Sequence, residues 1–182
     1  MIRTLLAASL FCSLAGAGHA MSARNGSGAK DASPMSAVAA SSVLSSVCEA
    51  AASAGKSPAQ QAGALGLKSV GASPELAWAL AKDARVWSVQ TRDSDVLLYA
   101  YGPDGAKCGV IVGRPIPGAV AEIVLRDLGA IGGYAKVDAS TMPGDVTFTR
   151  VFSETSGRYV DVLEYPARAR APGVLKLELL VN

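Results

Sequence analysis

Residues 85–112 read RVWSVQTRDSDVLLYAYGPDGAKCGVIV, and the reading of this stretch decides the fold. Before Arg85 apolar residues recur about every 3.6 positions. From Arg85 onward they alternate with a period of 2, the signature of a half-buried strand. Val86 to Gln90 is one expected strand, Val96 to Tyr101 a second, and Lys107 to Val112 a third. Arg92-Asp93-Ser94-Asp95 and Gly102-Pro103-Asp104-Gly105 between them carry turn chemistry, so the three strands form an antiparallel meander.

Working upstream, Ser-Pro occurs at Ser33-Pro34, Ser57-Pro58 and Ser73-Pro74. A Ser can cap a helix and a Pro fits its first turn, so each pair marks a helix start. The first helix is expected to run to Ala54 and stop at Gly55, with Met35, Val38, Ala39, Val43, Val47 and Ala51 as its apolar stripe and serines opposite. The second is short and interrupted by Gly63 and Gly66. The third, from Pro74 to Lys82, carries Trp78 as an expected core anchor. Downstream, Gly113 to Gly118 ends the meander, and a helix is expected from Ala119 to Leu128 with Gly129 as its terminator. Strands follow at Val146–Phe152, Tyr159–Glu164 and Val174–Val181, with a weak one at Tyr134–Val137. Antiparallel runs separated by a helix predict an α+β domain over residues 34–182, with helices on one face of a sheet of five to seven strands.

The chain has 182 residues, half of them apolar and 18% charged, with a net charge of +2. That composition argues against disorder and against a polyanion-binding surface. Residues 1–20 have the order of a secretory leader: Arg3, an apolar run from Leu5 to Leu14, then small residues at Ala15-Gly16-Ala17 and Gly18-His19-Ala20. Cleavage is expected after Ala20, with Ala17 as the alternative. Beyond the leader no apolar run reaches the roughly 18 residues of a membrane span, so no transmembrane segment is expected after cleavage. Residues 21–33 are small, polar and rich in Gly and Ser, a flexible lead into the domain.

Cleavage removes His19, the single histidine, together with Cys12. Two cysteines remain, Cys48 in the first helix and Cys108 in the third strand. In an oxidising compartment two such cysteines pair. A Ser-His-Asp or Cys-His site is then impossible, and neither a nucleophile elbow nor a phosphate-binding glycine loop occurs. Ser53-Ala54-Gly55-Lys56 has serine–lysine spacing, but it straddles a helix end and lacks the companion motifs. Asp93, Asp95 and Asp104 fall in turns and could meet at one end of the meander, without the spacing of a calcium loop. Arg168 and Arg170 are two charges in a turn, short of a nucleic-acid patch. No cofactor and no metal is expected.

The sequence of a cysteine-bearing helix, an alanine-rich segment, Val86-Trp87, a hairpin, Cys108-Gly109-Val110-Ile111-Val112 and a helix ending in Leu-Gly resembles small exported proteins of Gram-negative bacteria that have no assigned function. The resemblance covers about residues 40–165. It implies a fold clamped by one disulfide and carries over no catalytic residue.

Tyr99 and Tyr101 share one face of their strand and Val96, Leu98 and Ala100 share the other. Either the tyrosine face is core, or Tyr99, Tyr101 and Trp87 form an amphipathic contact patch. The expected function is that of a non-enzymatic periplasmic protein that binds a protein or an envelope component. A carboxylate-dependent hydrolase of an envelope glycan, or a secreted inhibitor or immunity-type protein, are the alternatives. The protein recovered from bacteria should have an intact mass that starts at Met21, with two thiols alkylated only after reduction. A full-length mass with three free thiols would remove the leader and the export reading together.

Overall fold

The computed structural model describes residues 34–71, 73–89, 96–169 and 171–180. The leader, the Gly/Ser-rich segment, Asp93, Asp95, Arg170 and Val181 lie outside them.

The first helix, α1, spans Pro34–Ala54, with a wider π-helical stretch at Leu44–Glu49. Gly55, at φ 62°, takes the left-handed conformation that ends it. α2 is Pro58–Ala64, and its start is the capping box that Ser57-Pro58 announces: Ser57 Oγ accepts from Gln60 N, and Gln60 Oε1 accepts from Ser57 N. Four strands follow: β1 Lys68–Val70, β2 Arg85–Val89, β3 Val96–Tyr101 and β4 Lys107–Gly113. α3 then runs over Ala119–Gly132. A second run of four strands closes the chain, β5 Tyr134–Met142, β6 Val146–Ser153, β7 Arg158–Tyr165 and β8 Val174–Leu180.

All eight strands form one antiparallel sheet in the order β1-β2-β3-β4-β8-β7-β6-β5. The order is two four-stranded meanders, each preceded by a helix, whose last strands pair at the centre. The α+β class stands, with a sheet of eight strands rather than five to seven. β1 and the outer part of β5 escape sequence reading because they are edge strands exposed on both faces. With neither face buried, no period-2 apolar pattern is required of them.

α1 and α3 lie side by side on what we term the inner face of the sheet. There Leu44 and Val47 of α1 and Val124 and Leu128 of α3 meet Leu98, Val110, Leu177 and Val160, all almost fully buried. Burial of this contiguous apolar set is the main stabilising term of the domain. The buried stripe of α1 differs from the expected one. Met35 and Val38 are exposed, whereas Ser36, Ala37, Ala40 and Ser41 are buried. Small side chains at these positions allow the helix to approach its neighbours closely, and Ser41 Oγ satisfies itself by donating to Ala37 O. α1 is also, by its 21 residues and mean hydropathy of 1.3, long and apolar enough to cross a membrane. Here its apolar side is packed on the sheet core.

Two further expectations are corrected. α3 continues through Gly129 to Gly132 and ends at Gly133, φ 64°, because Gly129 adopts ordinary helical geometry and only Gly133 turns left-handed. The third expected helix is no more than a 3-10 turn at Ala77–Ala79. Residues 73–84 are instead drawn across the other, outer face of the sheet, where Leu76 inserts among Leu97, Ile111 and Val174. Ser73 caps nothing, and its Oγ is buried without a partner. Trp78 is turned away from that contact, 47% exposed, with its ring edge-on to Tyr165 at 5.4 Å.

Cys48 and Cys108 are joined by a disulfide across Cα atoms 5.5 Å apart, fastening α1 to β4 over a sequence separation of 60. In the chain-entropy model such a loop is worth roughly 4 kcal/mol. Cys48→Ser and Cys108→Ser should each lower the melting temperature by ten degrees or so, and the double variant should add little. Wild-type stability in the double variant would show that the bond is dispensable.

Candidate functional site

The strand register assigns every side chain of the sheet to a face. Trp87 pairs with Leu98, on the helix side, and is 6% exposed in the main core. Tyr99 and Tyr101 point to the outer face. The expected patch of Trp87, Tyr99 and Tyr101 is therefore split across the sheet, because an alternation of 2 places Trp87 opposite an inward residue of β3. Tyr99 is also fully buried and Tyr101 half-buried, beneath and beside the 73–84 segment. At β3 both faces are core.

Tyr99 owes its position to a glycine. Its ring crosses β4 over Gly109, where a Cβ would stand 2.4 Å from the tyrosine oxygen and 2.1 Å from Leu177 O. The hydroxyl reaches β8 beyond, where Leu177 O accepts at 3.3 Å and Glu178 Oε2 at 3.0 Å. Tyr101 donates to Glu178 Oε1 at 3.1 Å, and Lys176 Nζ lies 3.0 Å from Oε2. Burial pushes the Tyr99 hydroxyl well above the ordinary tyrosine range, and burial with the Glu178 charge pushes Tyr101 to about 12. Burial also pulls the Glu178 carboxyl upward, but Lys176 and the two tyrosine hydroxyls outweigh it and hold it below the usual value.

Beyond this network the outer face of β6 and β7 carries no covering element among the described residues. Arg150 stands at its centre, in a two-point salt bridge to Asp161: Nε to Oδ1 at 2.6 Å and Nη2 to Oδ2 at 2.8 Å. The guanidinium lies 5.5 Å from the Phe148 ring and 5.8 Å from the Tyr159 ring, and Tyr159 contacts Phe152 at 4.7 Å. This surface is a fixed set of aromatic and paired ionic groups, all half-exposed. Sequence reading missed it because Asp161 and Tyr159 reach Arg150 only by the pairing of β6 with β7.

A cleft of about 1050 Å³ opens at the end of the sheet between the β4–α3 and β7–β8 connections, walled by Pro115, Pro117, Pro166, Pro172 and Tyr165. Glu75 and Arg114 form an ion pair at its rim, and Glu164 Oε1 accepts from Gly118 N at 2.8 Å. Arg168, expected as a solvated turn charge, lies here over Gly144.

Asp93 and Asp95, expected to meet Asp104 at one end of the meander, lie outside the described residues. Among the described residues no three of His, Cys, Asp or Glu converge. Compared with known families, curated proteins and solved structures, the chain matches none.

Because the folded Glu178 carboxyl titrates below its unfolded value, its contribution is present above the unfolded pKa and is lost as pH falls through the folded one. Wild type should therefore lose stability more steeply than Glu178→Gln below about pH 5. Parallel slopes in urea melts at pH 5 and pH 3 would remove Glu178 from the acid response.

Proposed function

We propose that this chain is an exported, non-catalytic binding domain of the bacterial envelope that takes a protein partner on the uncovered outer face of β6 and β7. The observation that carries this reading is Arg150, held between Phe148 and Tyr159 and paired with Asp161 on a face that nothing described covers. Arg, Tyr and Phe are the residue types that concentrate binding energy at protein interfaces, and a pre-ordered group loses little freedom on docking. The charges are already matched, Arg150 with Asp161 and Lys176 with Glu178, so a polyanion would find no unpaired cation there. Recognition then rests on shape, ring contact and hydrogen bonds.

Export is supported by the leader-like residues 1–20 and by the Cys48–Cys108 bond, which an oxidising compartment sustains. The resemblance to small exported Gram-negative proteins points the same way.

A photo-reactive residue at Tyr159, and another at Arg126 on the helix layer as control, test the reading in living cells. We expect one protein adduct from position 159 and none from 126. The purified partner should bind the full chain, and Arg150→Ala and Tyr159→Ser should each weaken that binding about tenfold or more without changing the melting temperature. An adduct of glycan mass, an adduct from the helix layer alone, or binding indifferent to both substitutions would overturn the reading.

A further inference from the structure

At the end of the sheet where the 73–84 segment enters β2, a separate pocket of about 280 Å³ is enclosed by α2, β2 and the β3–β4 connection. Its walls are Asp83, Arg85, Trp87, Tyr101 and Gly102, with Ser57 at its edge and Ala59 and Ala100 as small apolar lining. The Arg85 side chain makes no hydrogen bond or ion pair with any described residue, although Asp83 stands two positions before it. Trp87 is a buried side chain whose indole N–H has no partner either, yet that nitrogen is absent from the sealed, unpaired polar atoms of the interior. A buried indole ordinarily finds a partner for its N–H. Here the side chain lines the pocket, and its nitrogen is neither sealed nor bonded.

Asp83 supplies the opposite chemistry. Its Oδ2 accepts from Gly102 N at 3.2 Å, which fixes the carboxylate at the pocket wall. Gly102, φ 80°, and Gly105, φ 72°, hold the backbone of this wall in a conformation that other residues rarely adopt. Two idle donors of β2, one of them a cation, thus share a small space with a held carboxylate. Its volume of about 280 Å³ is just below the roughly 300–1,000 Å³ of ligand pockets, which suits a ligand of few atoms.

We propose that this pocket binds a small zwitterion of amino-acid size. The ligand carboxylate lies between the Arg85 guanidinium and the Trp87 indole N–H, and the ligand ammonium lies at Asp83. Charge-assisted hydrogen bonds of this type are the strong ones, and each end of the ligand meets its complement. The site is on a different part of the sheet from the Arg150 surface, and the two stand or fall separately.

The chain has two tryptophans. In a Trp78→Phe background Trp87 alone emits, and its fluorescence reports the pocket directly. The purified, disulfide-bonded protein is titrated with each free L-amino acid at up to about 10 mM, a range that covers weak millimolar binding. The methyl ester and the N-acetyl derivative of each serve as controls lacking one charge. We expect a saturable emission change with at least one amino acid, weakened about tenfold or more by either derivative and by Arg85→Gln or Asp83→Asn. Both substituted side chains are exposed, so the melting temperature should not move. No saturable change with any amino acid, a change that survives Arg85→Gln, or equal binding of the N-acetyl derivative would overturn the proposal.

Discussion

Two adjacent residues of β4 hold the molecule together from opposite sides. Cys108 faces the helices and is bonded to Cys48 of α1, while Gly109 faces outward and lets the Tyr99 ring pass across the strand to β8. The first fastening joins helix layer to sheet. The second joins the first meander to the second, where β4 pairs with β8. Any side chain at position 109 would meet the tyrosine oxygen or the Leu177 carbonyl well inside contact distance. The rest of the sheet is built of local hairpins, but β4 with β8 closes a long loop and bears its entropic cost.

That central seam also explains how the two faces divide their work. The inner face is covered by α1 and α3 over its central strands, where Leu175, Leu177 and Leu179 are buried. Among the described residues, the outer face is covered only where Leu76 and its neighbours lie, over β2, β3, β4 and the start of β8. A sheet of eight strands is too wide for one crossing segment of about a dozen residues. The uncovered remainder must therefore satisfy its own polar groups, which it does by the Arg150–Asp161 and Lys176–Glu178 pairs. The Arg150 side chain of the first pair is 38% exposed, and a pair so placed adds little stability. Their consequence here is order, since they fix the rings and charges that the surface presents.

Much of the architecture was legible because buried strands and capped helices leave strong local traces. The β3 boundaries, the Ser57-Pro58 helix start and the pairing of the last two cysteines all follow from turn chemistry, capping and redox logic. The Ser73-Pro74 start did not become a helix, because Leu76 and its neighbours are used to cover the sheet rather than to pack as a cylinder. Serines 36 and 41 were placed on the wrong side of α1 for a related reason: polarity predicts exposure, but close helix packing rewards small size.

The α+β class, the meander around residues 85–112 and the confinement of histidine to residues 1–20 are written in the chain itself. Those features depend on neighbours in the chain, on periodicity and on composition, which a single sequence displays. That Trp87 and Tyr99 lie on opposite faces, that Arg150 sits between two rings, and that Asp83 and Arg85 share a pocket with an unused indole N–H are consequences of the folded arrangement. Each of these depends on strand register or on which segment crosses which face. Such choices are made by the burial of the whole sheet and leave no local mark at the residues they bring together.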